Sequence, residues 1–282
     1  MNAIEVRGLC KSFKGFDLKN INLTLPEGCI MGLVGENGAG KTTTLKLIMN
    51  AMQPDSGFVN VLGTDNSSPE FNQLKNRIGV VLDEAYFPGV LTAADVGKIM
   101  ALTYSCWDSE KYAGYLKKFH LDSDKQFKDY SRGMKMKLAI AAALSHDPKV
   151  LILDEATSGL DPMMREEILD ILMDFTRDES HSILLSSHIV SDLEKVCDYI
   201  AFIHEGELQL CEEKDALLEK YAVVKMTAKD FARLRSDAVI GSKRTSYSVE
   251  ALVERAALPA DTRFEHATLE DIILYIARRD RT

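Results

Sequence analysis

Long apolar runs and paired cysteines are both missing from this sequence of 282 residues. No window approaches the roughly 20 apolar residues that a helix needs to cross a bilayer. The N-terminal segment MNAIEVRGLC has no apolar core of a signal peptide. We therefore expect a soluble chain, so any membrane-embedded part would come from another polypeptide. The five cysteines are scattered and form no CxxC pair, which indicates reduced cytosolic thiols and argues against a metal site.

An excess of positive charge is also absent. The formal net charge is −9 at pH 7. Because an acidic surface repels polyanions, this charge argues against a general nucleic-acid binder. The composition is otherwise that of an ordinary globular protein. The length allows one large domain and a smaller one.

Strand and helix patterns alternate through most of the chain. Apolar and polar residues alternate near 3–8 and 17–25, which predicts strands of a partly exposed sheet. Apolar segments at 150–153 and 182–186 predict buried strands, and the pattern from residue 41 to about 52 predicts a helix. This alternation predicts an α/β fold to which the early strands add an antiparallel layer. A mainly helical pattern predicts a helical subdomain at about 85–146.

The pattern changes at about residue 221, where we place a domain boundary. Residues 1–220 form the predicted main domain, and 221–282 form a small α+β C-terminal accessory region. A strand at 223–226, a helix at 229–234 and an amphipathic helix at 269–278 are predicted there. The region carries no catalytic motif.

The segment GENGAGKT, from Gly35 to Thr42, fits the pattern G-x-x-x-x-G-K-[ST] between a buried strand and a helix. Glycines let the backbone curl so that its N–H groups point at phosphate oxygens, and the helix N-terminus adds positive potential. Lys41 would pair with the β- and γ-phosphates, Thr42 would offer its hydroxyl to Mg²⁺, and Thr43 would bind phosphate. The motif predicts a P-loop NTPase core with a mixed sheet; the alternative is a glycine-rich turn with an incidental lysine. The predicted nucleotide-binding residues are Gly35, Asn37, Gly38, Ala39, Gly40, Lys41, Thr42 and Thr43.

Two carboxylates end the apolar strand VLILDE. The C-terminal end of a strand is where ligands bind in an open α/β sheet. Asp154 would hold Mg²⁺ through water, and Glu155 would act as the general base toward the attacking water. His188 closes the strand SILLSSH and could sense the γ-phosphate. The alternatives are a strand that ends in an acidic turn and a histidine that caps it or packs in the core.

The segment YSRGMKMK opens a predicted helix. Ser131 is a candidate N-cap, and Gly133 would leave the backbone bare at the helix start. Together they predict a second anion site. A plain capped helix would account for Ser131 alone.

With these motifs in this order, the sequence resembles the ATP-binding-cassette (ABC) ATPases over roughly residues 1–218. The segment Tyr130–Met134 lies where their signature motif lies, Ser158–Asp161 looks like their D-loop, and His188 looks like their switch histidine. The resemblance implies a head-to-tail dimer of this chain with a second copy or with a paralogous ATPase subunit.

In such a dimer, each ATP lies between the P-loop of one subunit and the signature serine of the other. Ser131 and Gly133 would then contact the γ-phosphate bound on the partner, and Asp161 would join the nucleotide site. Phe13 lies at the usual place of the aromatic that stacks on adenine, with Phe16 as the second candidate. Either ring could instead be a core aromatic.

Three positions depart from the family pattern. Ala156 stands where a proline normally follows the catalytic glutamate, which should loosen that turn. Asp83 occupies the place of the usual Q-loop glutamine, where a carboxylate could ligate Mg²⁺ directly or through water. Glu84 is the alternative occupant of that place. Arg132 replaces the first signature glycine, and its guanidinium could reach the partner's nucleotide or lie solvated on the surface.

The segments YSRGMKMKLA and ATSGLDPMMR resemble those of single-cassette bacterial exporters, a group that includes bacitracin- and lantibiotic-resistance exporters. The resemblance implies a Mg²⁺-dependent ATPase that drives a separate membrane permease from the cytoplasmic face of the cell membrane. Tyr86, Phe87 and Leu91 are candidate permease contacts, or they pack within the helical subdomain. One alternative is a soluble ABC-type ATPase acting on ribosomes or nucleic acid. Another is a P-loop regulator that binds ATP without turnover.

Overall fold

Strands and helices alternate along the chain, and the computed structural model describes residues 1–83, 87–245, 247–259 and 262–279. The strands are β1 (Asn2–Phe13), β2 (Phe16–Pro26), β3 (Ile30–Val34), β4 (Ser56–Val61), β5 (Thr64–Asp65), β6 (Ile78–Val81), β7 (Val150–Asp154), β8 (Ser182–Ser187), β9 (Tyr199–His204), β10 (Glu207–Glu213), β11 (Tyr221–Met226), β12 (Val239–Arg244), β13 (Val249–Glu254) and β14 (Glu265–His266). The helices are α1 (Lys41–Ile48), α2 (Phe71–Leu74), α3 (Ala93–Thr103), α4 (Ser109–Lys118), α5 (Arg132–Leu144), α6 (Pro162–Phe175), α7 (Val190–Val196), α8 (Lys214–Lys220), α9 (Ala228–Phe231) and α10 (Leu269–Arg279).

Within the described residues, the larger sheet has ten strands in the order β5-β4-β1-β2-β10-β9-β3-β8-β7-β6. Strand β3 pairs in parallel with β8 and β9, and β7 pairs in parallel with β8 and β6. Strands β1, β2 and β4 pair antiparallel and form one wing of the same sheet. The predicted α/β fold with a mixed sheet is therefore confirmed.

The parallel strands lie at the centre of the molecule. Every residue of β3, β7 and β8 is buried. Parallel sheets are covered on both faces, so their strands read as largely apolar runs, as the segments IMGLV of β3 and VLILD of β7 do. Because parallel strands end at the same edge, the segments after β3, β7 and β8 lie close together.

Helices α3, α4 and α5 lie where the helical subdomain is predicted. Helix α3 begins with a capping box, in which Thr92 accepts from the backbone N–H of Asp95 and the Asp95 carboxylate accepts in return. Helix α5 is buried along most of its length. Its central position explains why its KMKLAIAAAL segment has so little of the polar face of a surface helix.

Element ends and the C-terminal strands depart from the sequence expectation. The helix predicted to run from residue 41 to about 52 ends at Ile48, because Asn50 takes a left-handed conformation with φ 52°. Strands β12, β13 and β14 were not predicted. The segment VIGSKR of β12 lacks a clear alternation, and pairing with β13 supplies its backbone partners.

The C-terminal region forms a four-stranded sheet in the described residues, with the order β12-β13-β11-β14. Helix α10 packs against this sheet and against α7 of the main domain. Its residues Leu269 and Ile272 are fully buried and belong to the same hydrophobic core as Leu185 of β8. The core therefore crosses the predicted domain boundary at residue 220. No helix in the described part of the chain is long and apolar enough to cross a membrane.

Candidate active site

The glycine-rich loop joins the end of β3 to the start of α1. A Cβ on Gly35 would lie 2.4 Å from the Ile203 carbonyl oxygen, so only glycine lets the loop pass this close to β9. Gly40 precedes α1 with φ 113°, in the left-handed region that favours glycine. The loop therefore directs the N-terminus of α1 toward the sheet edge, as a phosphate-binding loop requires.

Lys41 is almost completely buried beside this loop. Its Nζ atom donates to the Gly35 carbonyl oxygen at 2.8 Å. The same atom lies 3.1 Å from Oε1 of Glu155. The ammonium group thus joins the loop to the end of β7 and balances the Glu155 carboxylate.

Asp154 is held by two hydroxyl groups. Thr42 Oγ1 donates to Asp154 Oδ2 at 2.7 Å, and Ser186 Oγ donates to Asp154 Oδ1. Asp154 is only 3% exposed, and these two hydrogen bonds give each of its buried oxygens a donor from the protein. Ser186 was not predicted as a site residue, although the two serines that end the apolar strand SILLSS are a signal for it.

Glu155 and His188 are brought together. The His188 Nδ1 atom lies 2.7 Å from Oε2 of Glu155, and the His188 side chain is 42% exposed. Glu155 takes a left-handed φ of 52°, and its backbone N–H donates to the Ser186 carbonyl oxygen at 3.1 Å. This turn sends the carboxylate back across the ends of the strands, between the ring of His188 and the amine of Lys41.

A cavity of about 640 Å³ lies over these groups. Its size lies within the range of cofactor sites. Both Phe13 and Phe16 line it, with ring centroids 6.3 Å apart, and Phe13 is the more exposed. The other lining residues are Gly15, Glu36, Asn37, Gly38, Gly40, Lys41, Thr42, Thr43, Asp83 and Glu155. The cavity thus joins aromatic faces to the glycine-rich loop and the carboxylates.

Ser131, Gly133 and Asp161 do not line this cavity. Ser131 is exposed at the N-terminus of α5, where its Oγ accepts from the Met134 N–H at 3.3 Å, as an N-cap does. Asp161 caps α6 in the same way, accepting from the Met164 N–H at 3.1 Å. Two of the predicted nucleotide contacts are therefore helix caps outside the loop that holds Lys41.

The expectation that Gly133 leaves a bare backbone is wrong. Gly133 is buried, and a Cβ added to it would lie 2.3 Å from Sδ of Met164. The end of the Met164 side chain of α6 packs on Gly133, so a larger side chain there would have to displace it. The exposed residues of this segment are Ser131 and Arg132.

Arg132 is paired rather than free in solvent. Its Nη2 atom donates to Oδ1 of Asp83 at 3.0 Å, and both side chains are about half exposed. Asp83 itself lines the cavity. Glu84, the alternative at this place, lies outside the described residues.

The C-terminal helix reaches the same region. A second cavity, of about 350 Å³, lies between the glycine-rich loop and α10. Asn37 and His188 line it from the main domain, and Ile273, Leu274 and Ala277 line it from α10. The accessory region is therefore in contact with the surroundings of His188.

The fold and this constellation of groups are those of a P-loop ATPase. The family model described as ABC transporter matches residues 18–158, half of the chain. The bacitracin transport ATP-binding protein BcrA of Enterococcus faecalis is 36% identical over 208 residues, which are 73% of this chain and 67% of that protein. The lantibiotic transport ATP-binding protein SrtF of Streptococcus pyogenes is 35% identical over 215 residues, which are 75% of this chain and 91% of that protein.

A solved structure of the ATP-binding subunit of an ABC transporter has the same fold, with a TM-score of 0.69 and 25% identity. The alignment covers 76% of this chain and 91% of that chain. The protein belongs to the ABC transporter family, as an ATP-binding subunit with ATPase activity.

Proposed function

We propose that this chain is the ATP-hydrolysing subunit of an ABC exporter and that it dimerises head to tail around two ATP molecules. The observation that carries the proposal is the continuous contact from Lys41 through Glu155 to His188. In this proposal the Lys41 amine binds phosphate and Glu155 is the base, since both line a nucleotide-sized cavity and His188 contacts the Glu155 carboxylate. A structural ion pair alone would not require the glycine-rich loop or the aromatic pair.

Each residue of this site has a separate role in phosphoryl transfer. When a triphosphate enters, its oxygens replace Glu155 as the partner of the Lys41 amine, because the amine is already held at the loop. Glu155 is then free to accept a proton from the attacking water, which is the role of a general base. His188 holds the other oxygen of that carboxylate and fixes its orientation.

The site also fits Mg²⁺. Thr42 and Asp154 already present adjacent hydroxyl and carboxylate oxygens beneath the loop. Mg²⁺ is bound in such sites by one or two protein oxygens together with water and phosphate, so these two residues would hold it, with Asp83 as a further candidate. The ion supplies neutralisation of the charge that develops on the phosphate oxygens.

A second copy would complete the site. Ser131 and Gly133 belong to the signature segment, yet they lie outside the cavity of their own subunit. In a head-to-tail dimer, this segment would face the nucleotide of the partner, with Asp161 near it. ATP that touches both subunits stabilises only the closed state, so hydrolysis would release the dimer.

A separate membrane permease is the proposed mechanical partner, and it would hold the chain at the cytoplasmic face of the cell membrane. The relatives named for bacitracin and lantibiotic transport support a role in transport, and the direction of export rests on the resemblance of the motifs to those of bacterial exporters. Phe87 packs edge to face against Phe127 at 5.6 Å, and Leu91 is half buried against the helical core, so neither offers a free surface. The exposed apolar residues Ile99 and Leu102 of α3 are better candidates for the docking surface. Tyr86 lies outside the described residues.

The test is the Glu155→Gln variant. We expect steady ATP hydrolysis to fall by about 10²–10⁴-fold, the contribution of a general base, while Mg²⁺-ATP converts the protein into a stable dimer in light scattering. Glu166→Gln, which removes an exposed carboxylate paired with Lys195, is the matched control and should leave both properties unchanged. A monomer at saturating ATP, or turnover within tenfold of the parent, would contradict the proposal. Hydrolysis stimulated by nucleic acid without any copurifying membrane protein would refute the export role.

A further inference from the structure

Two residues that depart from the family pattern contact each other. Asp83 follows β6, and Arg132 is the first residue of α5. They are 49 positions apart in sequence and are joined by a hydrogen bond of 3.0 Å. The fold thus brings a negative side chain and a positive side chain into contact at these two places.

The guanidinium of Arg132 also packs against Gly159. A Cβ added to Gly159 would lie 2.7 Å from Nη1 and 2.9 Å from Cζ of Arg132. Gly159 has φ 67°, in the left-handed region, so substitution there would be strained as well as crowded. The guanidinium is therefore packed between the segment after β6 and the segment after β7.

The pair connects the signature segment to the nucleotide cavity. Asp83 lines the cavity together with Thr42, Thr43 and Glu155. Arg132 directly follows Ser131, whose hydroxyl caps α5. A change in the position of the Asp83 carboxylate therefore acts on the residue next to Ser131.

We propose that the Asp83–Arg132 ion pair ties the Ser131 segment to a residue that lines the nucleotide cavity of its own subunit, and that nucleotide binding in that cavity releases the segment for a second copy. The proposal rests on the composite site described under the proposed function. Nucleotide and its divalent cation give the Asp83 carboxylate a competing partner, because carboxylate oxygens bind such cations. Arg132 is thus a positioning residue rather than a catalytic one.

The strength of the pair suits a contact that must open in each cycle. Ion pairs between exposed side chains contribute about 0.2–1 kcal/mol. A stabilisation of about 1 kcal/mol biases an equilibrium about fivefold. The pair therefore favours the resting position without preventing its release.

The release of the Ser131 segment can be measured through dimer formation by the Glu155→Gln variant. The readout is the Mg²⁺-ATP concentration that gives half-maximal dimer in light scattering, which does not depend on turnover. Arg132→Gln should lower this concentration by up to about fivefold. In an Asp83→Asn background, Arg132→Gln should have no further effect, because the pair is already broken. Lys98→Gln, which removes another exposed charge of the helical subdomain, is the matched control and should change nothing.

Two results would overturn the proposal. If Arg132→Gln raises the ATP requirement regardless of residue 83, the guanidinium acts on the partner's nucleotide. If Arg132→Gln leaves the requirement unchanged, the pair does not restrain the segment. A third result is separate from these: if the Glu155→Gln chain remains monomeric at every ATP concentration, the proposed ATP-dependent dimer is refuted, whatever the role of the ion pair.

A cross-link tests the resting contact without any dimer. In an Arg132→Lys variant, a carbodiimide should join the introduced amine to the Asp83 carboxylate in nucleotide-free protein, as seen by peptide mass spectrometry. Mg²⁺-ATP should reduce the yield, because the released segment no longer holds this amine beside the Asp83 carboxylate. The Lys98–Asp95 pair, 3.2 Å apart on α3, is the internal control, and its yield should stay constant. An equal yield between the introduced amine and Asp83 with and without nucleotide would refute the release.

Discussion

Ser186 offers the sharpest test of how the site is held. Its Oγ atom donates to Asp154 Oδ1 and accepts from the Glu155 backbone N–H at 3.2 Å. Ser186→Ala removes the hydroxyl from a position that has no exposed surface. Asp154 then keeps its hydrogen bond from Thr42 but loses the donor of its other oxygen.

The magnitude follows from the kind of hydrogen bond. A bond to a charged group contributes about 1.5–3 kcal/mol, and a neutral one contributes about 0.5–1.5 kcal/mol. The Glu155 N–H retains the Ser186 carbonyl oxygen at 3.1 Å, so the lost carboxylate contact dominates. We expect Ser186→Ala to lower the free energy of unfolding by about 1.5–3 kcal/mol.

Ser187 provides the matched control in the same strand. It is also fully buried, but its hydroxyl accepts from the Ile189 N–H at 3.0 Å and is hydrogen-bonded to no carboxylate among the residues that the structure describes. Ser187→Ala should therefore cost only about 0.5–1.5 kcal/mol. Urea unfolding followed by circular dichroism measures both values. Equal destabilisation of the two variants, or a loss below about 0.5 kcal/mol for Ser186→Ala, would refute the reasoning.

The other predictions concern pH and the C-terminal helix. Burial lowers the pKa of the His146 side chain in the folded protein. Below the ordinary histidine pKa of about 6.5, the unfolded chain therefore binds more protons at this position than the folded chain does. The free energy of unfolding falls as the pH drops through that value. His146 contributes a slope of at most about 1.4 kcal/mol per pH unit to the fall of the unfolding free energy below about pH 6.5, and His146→Gln should remove this contribution. An unchanged slope in urea unfolding measured at several pH values would contradict this. Ile272→Ala should lower the free energy of unfolding by about 2–5 kcal/mol, and the whole protein should still unfold in one thermal transition at a lower temperature. Leu274→Ala, at an exposed position of the same helix, should lower the free energy of unfolding only slightly. A separate thermal transition of the C-terminal region would contradict the shared core.

The contiguous parts of the site could be predicted because their geometry is local. The glycine-rich loop, Lys41 and Thr42 are consecutive in the chain, so one strand, one turn and one helix fix their relation. The apolar strand that ends in Asp154 and Glu155 is equally local. The α/β alternation likewise follows from apolar periodicity and is confirmed.

Contacts between distant segments could not be predicted in this way. The packing of Met164 on Gly133 depends on how closely α5 and α6 approach, which no local pattern specifies. Strand β12 is weakly patterned and is defined by its pairing with β13. The residues of β12 can be assigned to a strand only once their pairing with β13 is known.

The sequence by itself therefore determined the class of fold, the glycine-rich loop before α1 and the buried strand that ends in two carboxylates, because each depends on neighbours along the chain. Only the tertiary structure decided that Ser186 secures Asp154, that Arg132 meets Asp83, and that α10 joins the main core. The reason is that side chains 30 to 50 positions apart meet through the order of strands and the packing of helices. These relations arise from the whole sheet rather than from any one segment.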